Sequence, residues 1–466
     1  MKAGLVRLRD VHRVESPPLS LAYVGASLKE AGFTVVGADL GVTLRHIKDW
    51  NTWVEEAVRI LEDMNADILG FTLMTSTYPL FARVSRMYAQ RNPDTLIMVG
   101  GPHPTFVPQQ VMEDLPEVDI VVLGEGELTA VEVMDALEKR GPLPTHLKDV
   151  RGIWFRDNGR IIHTGERPLI QDLDTIPFPD LSLFPHLREY NPEGLFLNVP
   201  MYSSRGCAYR CAFCALSTLW KYQRRRSPEK VVEELSLRVE QYGSDTYFWF
   251  FDDEPTLKKK WMMDICQTIK DEGLDIRWLT ESRTDTMDSE LLKALHTAGC
   301  FSVFYGIETG SPATQQAINK NLDLPQAKDV VKKTVEQGIL PKTAFILGFP
   351  TETKDDMIQT IQFAMECRRM GAFIMVSRLY VFPGTPLWER RNELVPVPIP
   401  DEGRDFFSSL LFIEPERPFL NDYRDVLWAA PDLYCFNQPN LSLTESLDLI
   451  KAGIKVGLSP DLDFSF

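Results

Sequence analysis

Short apolar runs alternate with amphipathic stretches in two parts of the chain. In the first, TVVGADL, ADILGFTLMT, TLIMVGG and DIVVLGEGE predict buried strands, whereas WVEEAVRILEDM, LFARVSRMYAQ and TAVEVMDALEKR carry the apolar spacing of helices. This alternation predicts an α/β domain with a Rossmann-like, doubly wound parallel sheet over residues 1–140. Several runs end in glycine, which places loops at the carboxyl ends of strands, where open α/β sheets bind their ligands.

The alternation breaks between residues 141 and 195. GIWFRDNGRIIH predicts a hairpin with its turn at Asp157, Asn158 and Gly159, and the following DTIPFPDLSLFP is rich in proline. We therefore predict a linker that contains a hairpin.

Strand-like and helix-like runs return over residues 196–400, from NVPMYSSRG to IMVSRLYVF. About six such units predict a partial or complete (β/α) barrel, whose chemistry lies on its C-terminal loops. Residues 401–466 contain an amphipathic stretch, LTESLDLIKAGIKVG, and aromatic residues without a recognisable motif. We expect this small C-terminal segment to cover the active site.

Composition narrows the class of protein. The 466 residues exceed one ordinary core, and 44% hydrophobic with 25% charged residues is typical of a packed chain. A formal net charge of -16 repels phosphate backbones, so we expect no nucleic-acid partner. No apolar run reaches about 18 residues and the N-terminus lacks a secretory signal, so we expect a cytoplasmic protein without a membrane partner.

Cysteine usage points to metal chemistry. Seven cysteines in a chain without a signal peptide favour metal or redox use over a disulfide framework. Cys207, Cys211 and Cys214 form C-x3-C-x2-C directly after a predicted strand, so one loop can wrap three thiolates around an iron–sulfur cluster and leave one iron open. The alternatives are a zinc site and three unrelated cysteines, but His163 and His186 lie too far upstream to complete a local zinc site. The other four cysteines lack ligand spacing and predict no second cluster: Cys266, Cys300, Cys367 and Cys435.

The cysteine spacing, with the aromatic Phe213 just before the third cysteine, resembles the signature of the radical S-adenosylmethionine (SAM) superfamily. The resemblance implies a 4Fe-4S cluster whose open iron is chelated by the amino and carboxylate groups of SAM. It also implies that Phe213 lies near the adenine, although core packing would explain this ring as well. An electron from a donor such as flavodoxin or ferredoxin would then break the sulfonium bond and yield a 5'-deoxyadenosyl radical.

Other SAM-binding residues follow from the same resemblance. Asp252 and Asp253 in FFDDEPT are similar to the acidic strand-end motif that receives the methionyl ammonium group, and a helix cap is the alternative. Ser282 and Arg283 in LTESRTD would hold the ribose and the carboxylate of SAM, and a surface ion pair fits equally well. Glu308 in YGIETGS resembles the ribose-facing segment, while a charge at a helix N-terminus would also explain it.

An α/β domain that precedes such a barrel resembles the cobalamin-binding subgroup of the superfamily, which includes the class B methyltransferases. The resemblance extends to about residue 400 and implies cobalamin at the strand ends in GFTLMTSTYP, MVGGPHPTF and VVLGEGELT, where paired glycines allow close backbone approach. The implied cobalamin-binding residues are Thr72, Met74, Thr75, Ser76, Gly100, Gly101, His103, Glu125, Gly126 and Glu127.

The sequence lacks the D-x-H-x-x-G motif by which other cobalamin proteins supply a histidine to cobalt. His103, in GGPHPT, is more typical of a residue that packs a loop, so that Met74 or a neighbour would approach the metal. Glu125 and Glu127 would order their loop or hydrogen-bond the corrin side chains, with plain solvated charges as the alternative.

These resemblances imply a methyltransferase that uses methylcobalamin and two molecules of SAM to methylate an unactivated carbon of a small-molecule, peptide or protein substrate. One alternative is an enzyme of the same superfamily that cyclises, rearranges a ring or oxidises without methyl transfer. A second alternative is a non-catalytic corrinoid or redox sensor.

Overall fold

The computed structural model describes residues 1–10, 16–141, 144–192, 197–220, 222–243 and 246–391. The segment expected to cover the active site, 401–466, lies outside the described residues, as does Cys435. The chain divides into two compact units at the gap 193–196. None of the described helices combines the length and the apolar character needed to cross a membrane.

The first unit is an α/β domain. Its strands are β1 (Lys2–Arg7), β2 (Thr34–Asp39), β3 (Ile68–Thr72), β4 (Leu96–Gly100), β5 (Ile120–Val122), β6 (Ile153–Asp157) and β7 (Arg160–His163). Its helices are α1 (Leu19–Glu30), α2 (Leu40–Thr43), α3 (Trp50–Asp63), α4 (Tyr78–Arg91), α5 (Pro102–Phe106), α6 (Pro108–Asp114), α7 (Glu127–Arg140) and α8 (Leu187–Tyr190). Three 3₁₀ helices span Pro144–Asp149, Leu173–Thr175 and Leu181–Leu183.

The strands of this unit form one sheet in the order β2-β1-β3-β4-β5-β6-β7, in which β1 to β5 run parallel. Helix α3 shows how the helices cover it: Asp49 caps the first turn by accepting from the Thr52 amide at 2.7 Å, and the buried face carries Trp53 and Leu61. The strand order reverses between β1 and β3. The loops that follow these two strands therefore flank the crevice in which such sheets bind ligands.

The hairpin predicted around the Asp157–Gly159 turn is β6 and β7. Asn158 and Gly159 both have positive φ, 49° and 79°, as a tight two-residue hairpin turn requires. Strand β6 pairs antiparallel with β5, so the hairpin extends the first sheet although its sequence was expected to form part of a linker.

The second unit is a parallel β/α array. Its strands are β8 (Leu197–Met201), β9 (Ser204–Arg205), β10 (Arg224–Arg225), β11 (Thr246–Phe250), β12 (Arg277–Ser282), β13 (Cys300–Glu308), β14 (Leu340–Leu347) and β15 (Phe373–Arg378). Its helices are α9 (Leu216–Leu219), α10 (Pro228–Tyr242), α11 (Lys259–Asp271), α12 (Ser289–Thr297), α13 (Pro312–Ala317), α14 (Leu324–Glu336), α15 (Lys354–Arg369) and α16 (Pro386–Glu389). Two 3₁₀ helices span Pro255–Leu257 and Thr284–Thr286.

Six of these strands form a sheet in the chain order β8-β11-β12-β13-β14-β15, all parallel. This is the partial (β/α) barrel expected from the sequence. Side chains alternate along each strand between the helix-covered face, where Phe250 packs on Trp278 at 4.8 Å, and a less buried face that includes Trp249 and Phe304. We call this second face the lumen face.

Gly299, between α12 and β13, offers a test of the barrel's packing. Its φ is +87°, and a β-carbon there would lie 2.0 Å from the carbonyl oxygen of Ile276. Gly273 has a similar φ of +65° but no atom within 4 Å of such a β-carbon. We expect Gly299→Ala to lower the free energy of unfolding by at least about 3 kcal/mol and Gly273→Ala by about 1 kcal/mol, which urea unfolding followed by tryptophan fluorescence measures. Equal losses in the two variants would contradict the close approach at Gly299.

Candidate functional site

The loop that carries the three cysteines starts directly after β8 and is fastened to the end of the neighbouring strand β11. The Asp252 carboxylate accepts hydrogen bonds from the amide and hydroxyl of Ser203, at 3.1 and 2.9 Å, and from the amide and hydroxyl of Ser204. Asp253 accepts from the Gly206 amide at 2.6 Å. Because β8 and β11 are adjacent and parallel, their carboxyl ends meet, and the acidic motif fixes the backbone immediately before Cys207.

The middle of the cysteine loop is held from the other side of the barrel. The Ala212 amide donates to the Ile318 carbonyl at 2.8 Å, and the Asn319 side chain donates to the Arg210 carbonyl at 2.9 Å. The Arg283 guanidinium lies 3.6 Å from the centroid of the Tyr209 ring. The loop is thus held by residues that follow three different strands.

The three thiols fit an iron–sulfur cluster in their chemistry. Burial, followed by the charges of Glu254, Asp253 and Cys214, raises the pKa of Cys207 to about 11. Burial also raises the pKa of Cys211, against the nearby charges of Lys320 and Arg283. Thiolates in such surroundings need a bound cation to exist at neutral pH, which iron supplies.

No disulfide joins the six cysteines of the described chain. Within that same part of the chain, no three His, Cys, Asp or Glu side chains are grouped to hold a single metal ion. Cysteines that ligate different irons of one cluster do not have to meet at a single ion, so this finding is compatible with a cluster.

The proposed SAM-binding residues Asp252 and Asp253 both lie beside the cysteine loop. Asp252 is almost fully buried, and its carboxylate is occupied by Ser203 and Ser204. Burial raises the pKa of each carboxyl to about 6, against the hydrogen bonds from the two serines at Asp252 and from the Gly206 amide at Asp253. In this structure, the contacts of the two carboxylates position the loop.

Glu254 was missed in the sequence, where it resembles a residue that merely precedes the helix after Pro255. It is buried and accepts from the Thr256 hydroxyl at 2.6 Å and the Thr286 hydroxyl at 3.1 Å. Its charge acts on Cys207 more than that of Asp253 does. Its position directly after two aspartates at a strand end is the signal that could have identified it.

Ser282, Arg283 and Glu308 lie at the ends of the next two strands. The Ser282 hydroxyl lies 2.6 Å from that of Thr256, and the Arg283 guanidinium donates to Asp285 at 2.7 and 2.9 Å. Glu308 has a φ of +70° at a bulge in β13. The ion pair that Arg283 makes is the alternative anticipated from the sequence, but the residue is buried, not on the surface.

Lys320 is a second functional candidate that the sequence did not indicate. It is buried, its ammonium group lies 3.2 Å from the Glu308 carboxylate, and its carbonyl accepts from Arg283 at 2.9 Å. No strand end or motif precedes it, since it follows the short helix α13. Phe213 is half-buried, with its ring centroid 5.7 Å from that of Phe349.

The proposed cobalamin-binding residues of the first unit cluster after β3, β4 and β5. Met74 is 48% exposed, in contrast to the buried Thr75, whose hydroxyl lies 3.1 Å from Nδ1 of His103. The Ser76 hydroxyl donates to Asp10 at 3.0 Å and so links the loops that flank the crevice between β3 and β1. Thr72 ends β3.

The loop after β4 approaches that after β3 closely at Gly101. Its φ is +97°, and a β-carbon there would lie 2.9 Å from the hydroxyl of Thr72. At Gly100 a β-carbon would make an ordinary contact with Val122, at 3.7 Å, so the backbone is less crowded there than at Gly101. The pair of glycines therefore provides one close loop contact and one less crowded backbone position, which suits a large flat ligand.

His103 packs inside its loop, as the sequence indicated. It is 3% exposed, its ring centroid lies 4.5 Å from that of Tyr78, and burial lowers its pKa to about 4. Glu125 is buried and accepts from the Ile170 amide at 2.8 Å, and Glu127 is buried at the start of α7, next to Gly126. These glutamates are not solvated charges, and Glu125 orders its loop.

Comparison with known proteins decides the family. Residues 8–134 match the B12 binding domain, and residues 201–364 match the radical SAM superfamily. An uncharacterized methyltransferase of Pyrococcus horikoshii is 36% identical over 383 residues, which are 82% of this chain and 80% of that protein. This chain belongs to the cobalamin-binding radical SAM superfamily. Membership confirms the expected fold class, enzyme class and cofactors: a 4Fe-4S cluster, SAM and cobalamin.

Other members of the superfamily are similar along much of the chain. The anaerobic magnesium-protoporphyrin IX monomethyl ester cyclase of Cereibacter sphaeroides is 29% identical over 82% of this chain, which spans 61% of that protein. Among solved structures, the radical SAM methyltransferase TsrM from Kitasatospora setae, with cobalamin and a 4Fe-4S cluster bound, has a TM-score of 0.72 at 18% identity, covering 97% of this chain and 90% of that one. OxsB, with aqua-cobalamin and SAM bound, has a TM-score of 0.70 at 20% identity, covering 97% of this chain and 66% of that one. Both structures share the fold.

Asp252 supports a first prediction about the cluster. In Asp252→Asn, one acceptor oxygen is replaced by an NH2 group, which cannot accept hydrogen bonds from Ser203 and Ser204. The loss should lower the free energy of unfolding by about 1–3 kcal/mol. We expect the variant to fold but to lose iron to a chelator about tenfold faster than the wild type, as measured from the cluster's visible absorption after anaerobic reconstitution. Asp264→Asn, on the outer face of α11, is the matched control. Unchanged iron loss in Asp252→Asn would contradict the positioning of the loop by this carboxylate.

His103 supports a prediction about pH. Because its pKa is about 4 when folded and near 6.5 when unfolded, its contribution to stability is complete above pH 6.5 and is lost as the pH falls towards 4. Between pH 7 and pH 5 we expect the wild type to lose about 2 kcal/mol more of its unfolding free energy than His103→Gln, in which an amide can still meet Thr75. Urea unfolding of the cofactor-free chain measures this. His163→Gln, at an exposed histidine, is the control variant. Equal losses of unfolding free energy in the wild type and in His103→Gln would contradict a buried, neutral His103 imidazole.

Proposed function

We propose that this chain transfers a methyl group from SAM, by way of cobalamin, to an unactivated carbon of a small-molecule, peptide or protein substrate. The observation that carries the proposal is a three-cysteine loop on the first strand of a (β/α) array, preceded in the same chain by a cobalamin-type α/β domain. When bound, the cluster with SAM supplies a 5'-deoxyadenosyl radical, and cobalamin supplies the methyl group. The methyltransferase name of the P. horikoshii relative supports this reaction over others in the superfamily.

In the barrel, which we assign to residues 196–400, Cys207, Cys211 and Cys214 would hold the cluster. Asp252 and Asp253 fix the backbone before the first cysteine, so they would act on the cluster through the loop.

Around the cluster, Glu254 offers a buried carboxylate to the methionyl ammonium group, a role supported by its effect on Cys207. The charges of Lys320 and Arg283 act on Cys211, and these two cations would face the SAM carboxylate. Phe213, Ser282 and Glu308 complete the proposed SAM-binding set. A flavodoxin or ferredoxin would supply the electron.

Within the first unit, we assign residues 1–140 to the cobalamin-binding domain, in which the loops after β3, β4 and β5 would hold cobalamin. The buried pair of Thr75 and His103 keeps the imidazole engaged inside the protein. Met74, which is half exposed in the same loop, would face the corrin. The less crowded backbone at Gly100 would allow the ring to approach.

A second candidate function is radical cyclisation or oxidation without methyl transfer. It is favoured by one observation, the similarity to the magnesium-protoporphyrin ester cyclases, which are 27–29% identical. In that reaction SAM is cleaved to 5'-deoxyadenosine and methionine, and no S-adenosylhomocysteine (SAH) is formed.

The two functions differ in a measurement that needs no substrate. The full-length chain, reconstituted anaerobically with cluster and cobalamin, is reduced and mixed with SAM that carries a deuterated methyl group. We expect about one labelled methyl per bound cobalamin and an equal amount of SAH, because remethylation of the cofactor is half of the methyltransferase cycle. Mass spectrometry of the extracted cobalamin measures the label.

Cys367→Ala removes a buried thiol outside the cysteine loop and is the control variant. It should still form labelled cobalamin and SAH. Formation of 5'-deoxyadenosine with unlabelled cobalamin and no SAH would overturn methyl transfer and favour the cyclase-like reaction. If the protein forms neither 5'-deoxyadenosine nor SAH, the non-catalytic sensor is favoured.

A further inference from the structure

Glu281 is a carboxyl group on the lumen face of the barrel that the proposed roles do not use. It lies near the end of β12, in register with Phe304 on β13, which is in register with Lys342 on β14. Its side chain lies deep within the protein but keeps some exposed surface, towards the same face as the stacked rings of Trp249 and Phe251, 4.3 Å apart. Among the described residues, no hydrogen bond or ion pair reaches its carboxyl group, in contrast to its buried acidic neighbours.

The groups that face Glu281 are mostly acidic. Asp252, Asp253 and Glu254 follow β11 on one side, and Glu308 ends β13 on the other. Burial first, and then the charges of these four carboxylates, raise the pKa of Glu281 to about 8. Of the nearby groups from other strands, Tyr202 follows β8. Burial raises its pKa, helped by the charges of Asp253, Asp252 and Glu281 itself and opposed by the charge of Arg205. Lys342 lies two strands away on the same face.

The nearby cations interact with acidic groups of the protein itself. The charges of Arg205 and Arg224 act on Asp253, and two further cations form ion pairs. Lys320 pairs with Glu308, and Arg283 pairs with Asp285. The carboxylates at these strand ends therefore make the region attractive to a positive ligand group.

The position of this region relative to the cysteines points to one part of SAM. Glu254 and Asp253 act on Cys207, and Glu308 acts on Cys211, so the same carboxylates flank both the cluster loop and Glu281. With the amino and carboxylate groups of SAM at the cluster, the sulfonium is the next charged group along the molecule.

We infer that Glu281 faces the sulfonium of bound SAM and gives the site its preference for SAM over SAH. This inference rests on the SAM-binding part of the proposed function. The two ligands share their amino, carboxylate and adenosine groups and differ only in the methyl group and the positive charge at sulfur. A carboxylate in a poorly solvated site attracts that charge far more than it would in water.

The same arrangement links the charge of the ligand to a proton. At pH 7 the free protein holds Glu281 mainly protonated, and the sulfonium stabilises the carboxylate, so binding of SAM expels the proton. Methyl donation leaves SAH, and radical cleavage leaves methionine and 5'-deoxyadenosine, so either reaction removes the positive charge. Glu281 then takes up a proton, and the neutral sulfur is held more weakly, which favours release of the products.

Calorimetric titration of the reconstituted full-length protein with SAM and with SAH tests the inference. Titrations in two buffers of different ionisation enthalpy give the protons released. At pH 7 we expect the wild type to release close to one more proton with SAM than with SAH. In Glu281→Gln this difference should vanish, and the ratio of SAM to SAH affinity should fall about tenfold. Glu240→Gln, which removes an exposed carboxylate at the far end of α10, should behave as the wild type.

The wild type alone provides a second test, in case Glu281→Gln fails to assemble a cluster. Because ionisation of Glu281 is part of SAM binding below its pKa of about 8, the ratio of SAM to SAH affinity should rise from pH 6 to pH 9 and then level off. A flat ratio, or an unchanged proton release in Glu281→Gln, would overturn the role of Glu281 while leaving SAM binding intact. If the wild type binds no SAM at all, the proposed function fails with it.

Discussion

The hydrogen bonds between Asp252 and the backbone and hydroxyls of Ser203 and Ser204 fix the start of the loop that carries the three cysteines. They join the end of one strand to the start of the cysteine loop on the next. Such a connection is possible only because β8 and β11 are neighbours in a parallel sheet. A carboxylate with this many donors is costly to bury without them, so the loop and the strand end are ordered together.

The electrostatics of the barrel follow from the same strand ends. The charges of carboxyl groups after β11 and at the end of β13 act on the first two cysteines, and those of the buried cations Arg283 and Lys320 act on Cys211. The site is therefore polarised before any cofactor enters. The first unit differs, because its strand-end loops carry hydroxyls, glycines and a buried neutral histidine, which suit a large, largely uncharged ring better than an ion.

Sequence patterns within short stretches of the chain predicted the features that depend on neighbouring residues alone. The order of strands and helices follows from the apolar periodicity, and the position of the cysteine loop follows from its spacing and the preceding strand. Glu254, Lys320 and Glu281 were missed because their roles depend on which strand ends become neighbours. The contacts of Asp252 could not be predicted either, since the spacing identifies an acidic strand end but not the serines that it meets.

The central claim is that one chain holds both a three-cysteine cluster and cobalamin. The most direct test is the iron and cobalamin content of the full-length protein after anaerobic purification with cobalamin supplied and cluster reconstitution, compared with a Cys207→Ala, Cys211→Ala, Cys214→Ala variant. The account predicts about four irons and about one cobalamin per chain in the wild type, and loss of the iron with retention of cobalamin in the variant. Iron without cobalamin, or iron retained by the variant, would contradict it.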